Sequence, residues 1–123
     1  MPTSKIRRLA MGIESRRQPR RAVSGIVVVI DTMTDEIVGH LGNLSSGGML
    51  LIANRDLPED ALFQLRFNLP DEIGAAQPII AGGHVLWQAR GHAPGQYWVG
   101  MRFLGLSRDA GHRLRIWSTQ PAS

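Results

Sequence analysis

The sequence predicts an all-β domain of six short antiparallel strands, closed by a C-terminal helix and preceded by a basic arm. Three observations predict it. Residues 62–69 alternate, with Phe63, Leu65, Phe67 and Leu69 apolar and Gln64, Arg66 and Asn68 polar. That two-residue period gives a strand one apolar face and would scatter apolar groups around a helix. Further short apolar runs, several rich in β-branched or aromatic residues, are separated by Gly, Pro, Asn and Asp clusters. Only near the end does the period become helical, with Ala110, Leu114 and Trp117 at i, i+4 and i+7.

Taken in order, residues 1–15 show weak periodicity and contain Pro2, Gly12 and several polar side chains, so they read as a flexible arm with a helical turn near 6–11. Residues 23–31 are β-branched and read as the first strand, followed by a turn at 31–35. Residues 36–41 form the second, ended by Gly42-Asn43, and 48–53 the third. A loop carrying Pro58 leads to the fourth at 62–69, and residues 70–78 are a second loop. The fifth, 79–88, is interrupted by Gly82-Gly83, a signal for a bulge or bend. A hairpin connection at 91–95 with Pro94 gives the sixth, 96–104, whose Tyr97, Val99, Met101 and Phe103 share a face. Ser107 with Asp109 reads as an N-cap and acidic first turn. Gly111 weakens the helix that follows by about 1 kcal/mol relative to Ala. Such close strand spacing favours an antiparallel barrel or sandwich, and closing the sheet removes its edges.

The 123 residues make one ordinary domain, and a 43% hydrophobic content supports a core. Cysteine is absent, which excludes disulfides and thiol chemistry and fits a reducing compartment. The longest apolar runs, 26–30 and 49–53, fall far short of the roughly 20 residues that span a bilayer. No apolar signal segment is legible, so a cytoplasmic location without membrane insertion is the expectation. The charge is unevenly placed. Residues 1–21 carry Lys5, Arg7, Arg8, Arg16, Arg17, Arg20 and Arg21 against Glu14 alone, net +6, whereas residues 22–123 are net −2. A basic arm is either a solvated tail or an anion-binding element.

Two polar patches carry the functional signal. Arg16-Arg17-Gln18-Pro19-Arg20-Arg21 contains Arg-x-x-x-Arg in two registers, Arg16/Arg20 and Arg17/Arg21. Asn43-Leu44-Ser45-Ser46-Gly47-Gly48 is an Asn-x-Ser-x-x-Gly turn. Clustered arginines repel one another unless an anion meets them, and Asn, Ser and Gly offer an amide, a hydroxyl and bare backbone. Together they suggest a site for a small phosphate-bearing ligand, although each has a plain reading as linker or turn. Trp87 is a weaker candidate as a stacking surface, equally readable as core, while Trp98 and Trp117 read as packing residues. His40, His84, His92 and His112 share no metal-ligand spacing, and neither Ser45 nor Ser46 has a nucleophile context, so neither a metal nor an enzyme is expected.

In this order the motifs resemble the PilZ domain family. Arg16, Arg17 and Arg20 match its arginine element in the form Arg-Arg-x-x-Arg, and Asn43, Ser45 and Gly48 match its second element. His84–Gln88 and Val99–Phe103 look like its later strands, and the closing helix agrees. The resemblance runs from about Arg16 to Trp117. It implies a six-stranded antiparallel β-barrel with a C-terminal α-helix, occupying 16–119 between the arm at 1–15 and a disordered tail at 120–123. It implies a bacterial second-messenger receptor for cyclic di-GMP, with no cofactor and with motility or biofilm as context. Arg16, Arg17 and Arg20 would grip phosphate and guanine, and Asn43 and Ser45 would line the barrel surface. Gly48 closes the turn, and Arg21, Gly47 and Trp87 are weaker candidates. Arg16/Arg20 is the preferred register, with Arg21 leading into the first strand.

The chemistry agrees: Arg forks onto phosphate oxygens or guanine O6 and N7, and an amide oxygen accepts from the guanine N1–H and N2–H₂ edge. The signal would pass by arm ordering to an unidentified effector protein. The alternatives are a PilZ-like adaptor in a motility or pilus system that binds no nucleotide, and a barrel binding single-stranded nucleic acid. The retained motifs argue against the first, and the scarcity of stacking aromatics argues against the second. Ligand stoichiometry and a homodimer stay open.

Overall fold

The alternating segments do become strands, and their apolar faces meet inside one closed wall. The computed structural model describes residues 19–70 and 77–120, so the expectations placed on Arg16, Arg17, the rest of the arm and residues 121–123 lie outside the described residues. The elements are β1 (Arg21–Ala22), β2 (Val28–Asp31), β3 (Glu36–Leu44), β4 (Gly48–Ala53), β5 (Leu62–Phe67), β6 (Ile79–Arg90), β7 (Tyr97–Leu104) and α1 (Arg108–Thr119). All pairings are antiparallel. The sheet runs β3-β2-β5-β6-β7-β4 and closes by β4 pairing back onto β3, a six-stranded barrel with β1 as an outer flap on β3.

Alternation decides what faces inward. Leu65 and Phe67 of β5, Val99 and Met101 of β7, and Leu41 and Leu51 of β3 and β4 are buried. Phe67 and Phe103 stack with ring centroids 6.2 Å apart. Helix α1 packs on this interior through Ala110, Leu114 and Trp117, the three positions its period marks, and Ser107 caps it by accepting from the Ala110 amide at 3.0 Å. Leu114 is fully buried.

Strand ends shift by one or two residues, with β5 stopping at Phe67 and β6 running to Arg90, and three glycine-bearing segments differ from the sequence expectation. Residues 23–31 do not form one strand. The chain breaks at Gly25, whose φ of +80° favours glycine, and separates β1 from β2 along the same side of β3. Strand β3 continues through Gly42-Asn43 to Leu44, because a bulge between Leu41 and Asn43 absorbs the irregularity in its pairing with β4. Gly82 and Gly83 carry no bulge: they pair in register with β5 and β7, and the irregularity falls between Val85 and Trp87. Gly83 serves close packing instead, since a Cβ there would lie 2.8 Å from Leu65 Cδ1 and 3.0 Å from Met101 Sδ. Trp98 packs on the outside, partly exposed and edge-on to His92 with centroids 5.1 Å apart.

Cutting Leu114 to Ala removes a fully buried side chain at the helix–barrel junction and should cost about 2–5 kcal/mol in urea unfolding. Gly48→Ala should also destabilise, by about 1–3 kcal/mol, because the new Cβ would lie 2.1 Å from the Met101 carbonyl oxygen in the neighbouring strand.

Candidate functional site

The site starts from a backbone pairing. In β1, Arg21 pairs with Leu44 and Ala22 with Asn43, and the Val23 amide donates to the Gly42 carbonyl at 3.0 Å. This register lays the end of the arginine motif against the end of β3. Arg20 Nη1 donates to Asn43 Oδ1 at 2.9 Å, joining two motifs that lie 23 residues apart in sequence.

Arg21 turns the other way. Its guanidinium stacks over the Trp117 ring, 4.3 Å from the centroid, and Nη1 donates to the Trp117 carbonyl oxygen at 3.1 Å. The last turn of α1 contains no basic residue, so Arg21 brings positive charge to the helix C-terminus, where the backbone dipole favours it. Trp117 is therefore both core and a seat for Arg21. The two neighbouring arginines have separate partners: Arg20 the polar turn, Arg21 the helix.

The turn after β3 is held from within. Ser45 Oγ accepts from the Gly47 amide at 3.1 Å and the Gly48 amide at 3.2 Å, and donates to the Gly48 carbonyl at 3.4 Å. The Ser45 amide donates to the same carbonyl at 2.9 Å. Ser45 is 1% exposed, so it does not line the barrel surface as the sequence suggested. A short side chain at the base of a tight turn meets its own backbone amides before solvent. Gly47 anchors the turn to the barrel by accepting from the Phe103 amide at 2.8 Å. Gly48 admits the approach of β7 that a Cβ would block.

Strand registers place Trp87 as well. Asn43 pairs with Leu50, Leu50 with Gly100, and Gly100 with Trp87, one row across β3, β4, β7 and β6. Their inward neighbours Leu41, Leu51, Met101 and Val85 are buried, so this row lies on the outer face. With strands about 4.8 Å apart, Asn43 and Trp87 bound a platform roughly 14 Å wide. The Trp87 indole lies across Gly100, where a Cβ would fall 2.2 Å from Nε1. The glycine thus makes room for a half-buried ring on the surface.

One cation escaped the sequence reading. Arg102 is exposed and pairs with Gly48 on one side and His84 on the other, one outward position beyond Gly100. The alternation of β7 already put Arg102 on the outer face, but only the β4–β7 register sets it beside the turn. Among the described residues no cluster of His, Asp or Glu is arranged to hold a metal, and no helix is long and apolar enough to cross a membrane.

Comparison with known proteins matches this geometry to a family. The chain superposes on the inhibitor of motility MotI/DgrA of Bacillus subtilis with a TM-score of 0.67 at 13% identity, covering 82% of this chain and 48% of that one. It superposes on YcgR of Escherichia coli, solved in complex with c-di-GMP, with a TM-score of 0.65 at 17% identity, covering 81% of this chain and 42% of that one. The YcgR PilZ domain with c-di-GMP gives a TM-score of 0.58 at 18% identity, covering 81% and 86%. The chain thus spans less than half the length of the first two proteins. No curated protein matches it in sequence. The PilZ domain profile matches residues 14–119, and the chain belongs to the PilZ domain family.

Proposed function

We propose that this protein is a receptor, not an enzyme, that binds cyclic di-GMP on the outer face of the barrel where the arginine motif meets the turn. The observation that carries the reading is the hydrogen bond from Arg20 to Asn43, which brings the two motifs into contact. The c-di-GMP in the YcgR structures and the motility role in MotI's name support it. A cytoplasmic setting and relay to an effector protein belong to the same proposal.

The chemistry is an exchange of partners. Asn43 Oδ1 accepts from Arg20. A guanine edge presenting N1–H and N2–H₂ takes that oxygen, and the guanidinium turns to guanine O6 and N7 or to a phosphate. Arg16 and Arg17 are proposed to complete the grip from the arm, while exposed Arg102 adds positive potential beside Gly48. Trp87 offers a ring at the far end of the platform. Ser45 acts indirectly, by fixing the turn that carries the Gly47 and Gly48 amides. The separate engagement of Arg21 with Trp117 favours the Arg16/Arg20 register.

Isothermal titration with cyclic di-GMP, with GMP as control, is expected to show saturable binding for the cyclic dinucleotide alone. No heat from a folded chain would favour a PilZ adaptor that binds protein without nucleotide. Arg20→Ala and Asn43→Ala should each weaken binding by about 10- to 100-fold, the range for losing one bidentate base or phosphate contact. Arg21→Ala should leave affinity within about threefold, roughly 0.65 kcal/mol. A loss equal to that of Arg20→Ala would instead assign the Arg17/Arg21 register. Ser45→Ala should lower stability by about 1–3 kcal/mol through two unsatisfied amides, with faster hydrogen exchange at Gly47 and Gly48.

A further inference from the structure

Beside the turn lies an open groove of about 830 Å³. One wall is Ser46, the second residue of the turn. The other is the first two turns of α1, with Arg108, Gly111, His112 and Arg115 facing the space and Leu106 contributing apolar surface. The volume falls within the roughly 300–1,000 Å³ of clefts that hold ligands.

Two features ask for an occupant. Arg108 and Arg115 are exposed, and among the described residues neither guanidinium has an ion pair or hydrogen bond. They stand at i and i+7 on one helix face, about 10 Å apart along the axis, with His112 between them. The acid at this rim, Asp109, faces Arg113 at 3.9 Å. The second feature is Gly111. Mid-helix glycine weakens a helix, and here no packing requires it: a Cβ would meet nothing within 4 Å. Its effect is to leave bare backbone and open floor between the two arginines.

We propose that this groove docks an acidic segment of a partner protein, laid across Gly111 with its carboxylates on Arg108 and Arg115 and an apolar side chain against Leu106. Charge complementarity selects the occupant. The chain's own N-terminal stretch is strongly basic and would be repelled by the two arginines. A nucleic acid strand would want more cations and a broader stacking platform, whereas the groove lining has no Phe, Tyr or Trp and carries Asp109 at its rim. The groove does not depend on the nucleotide reading. Failure of cyclic di-GMP to bind leaves this surface intact, and failure of an acidic peptide leaves the Arg20–Asn43 site intact.

The test uses the full chain and a fluorescein-labelled nonapeptide of alternating glutamate and leucine, with a lysine-for-glutamate counterpart. Fluorescence anisotropy should show saturable binding of the acidic peptide only, and amide resonances of Ser46, Leu106 and Gly111 should shift. The exposed pair Arg108→Glu and Arg115→Glu should weaken binding at least about tenfold with the circular dichroism spectrum retained. Gly111→Leu fills the floor with a better helix former, so binding should be lost while the thermal midpoint holds or rises. Absence of binding at the highest soluble peptide concentration overturns the proposal. So do full affinity in both variants, shifts on another face, or displacement of the peptide by a single-stranded oligonucleotide at lower concentration. A concentration-dependent dimer in sedimentation that Arg108→Glu abolishes would assign the groove to a second copy of this chain, which also overturns it.

Discussion

Two residues of backbone pairing determine where the candidate site lies. Arg21 and Ala22 add a flap to β3 along the edge it shares with β2, opposite Leu44 and Asn43, and this pairing brings the arginine motif to the turn. From that register the rest follows. Arg20, just ahead of the flap, falls on Asn43, and Arg21 reaches across to the helix. Moving the flap by one residue would exchange these roles, because successive strand residues point to opposite sides. A flap of two residues is weak by itself. The Arg21–Trp117 stack fastens it to the helix, and the amide of Val23 extends it by one further hydrogen bond to Gly42.

The closed barrel makes such a flap useful. Because β4 returns to β3, the six strands close into one wall, β1 covers the end of β3 that β2 leaves unpaired, and the outer face is a continuous row of registers. Asn43, Leu50, Gly100 and Trp87 can therefore sit side by side although they come from four strands. The same closure explains the tight contacts at glycine. Where neighbouring strands or a large indole must pass close, as at Gly48 and Gly100, a Cβ would meet backbone or ring within 2.2 Å or less. These glycines shape the platform by what they leave out.

Much of this architecture was legible before the structure. The alternation of residues 62–69 placed Leu65 and Phe67 in the core, and the i, i+4, i+7 spacing gave the buried face of α1. Boundaries were less legible, because glycines misled in both directions: the strand expected at 23–31 breaks at Gly25, whereas Gly42, expected to end a strand, lies at a bulge inside a continuing one and Gly82-Gly83 stays in register. A glycine's role depends on what stands opposite it, which local pattern does not contain. Ser45 shows the same limit at the site. The motif spacing found the residue, but only the fold shows its hydroxyl turned inward onto Gly47 and Gly48.

The division of labour between Arg20 and Arg21 also ties the candidate site to the helix. The two residues are adjacent at the start of one short strand, yet one holds the polar turn and the other holds the end of α1. Any ligand that draws Arg20 away from Asn43 acts on the same backbone that seats Arg21 against Trp117. Trp117 is 4% exposed and its indole nitrogen has no partner among the described residues, so its ring is held by packing and by the guanidinium above it. Helix α1 thus meets the arginine motif at its C-terminal end, while its first two turns form one wall of the groove that Ser46 faces.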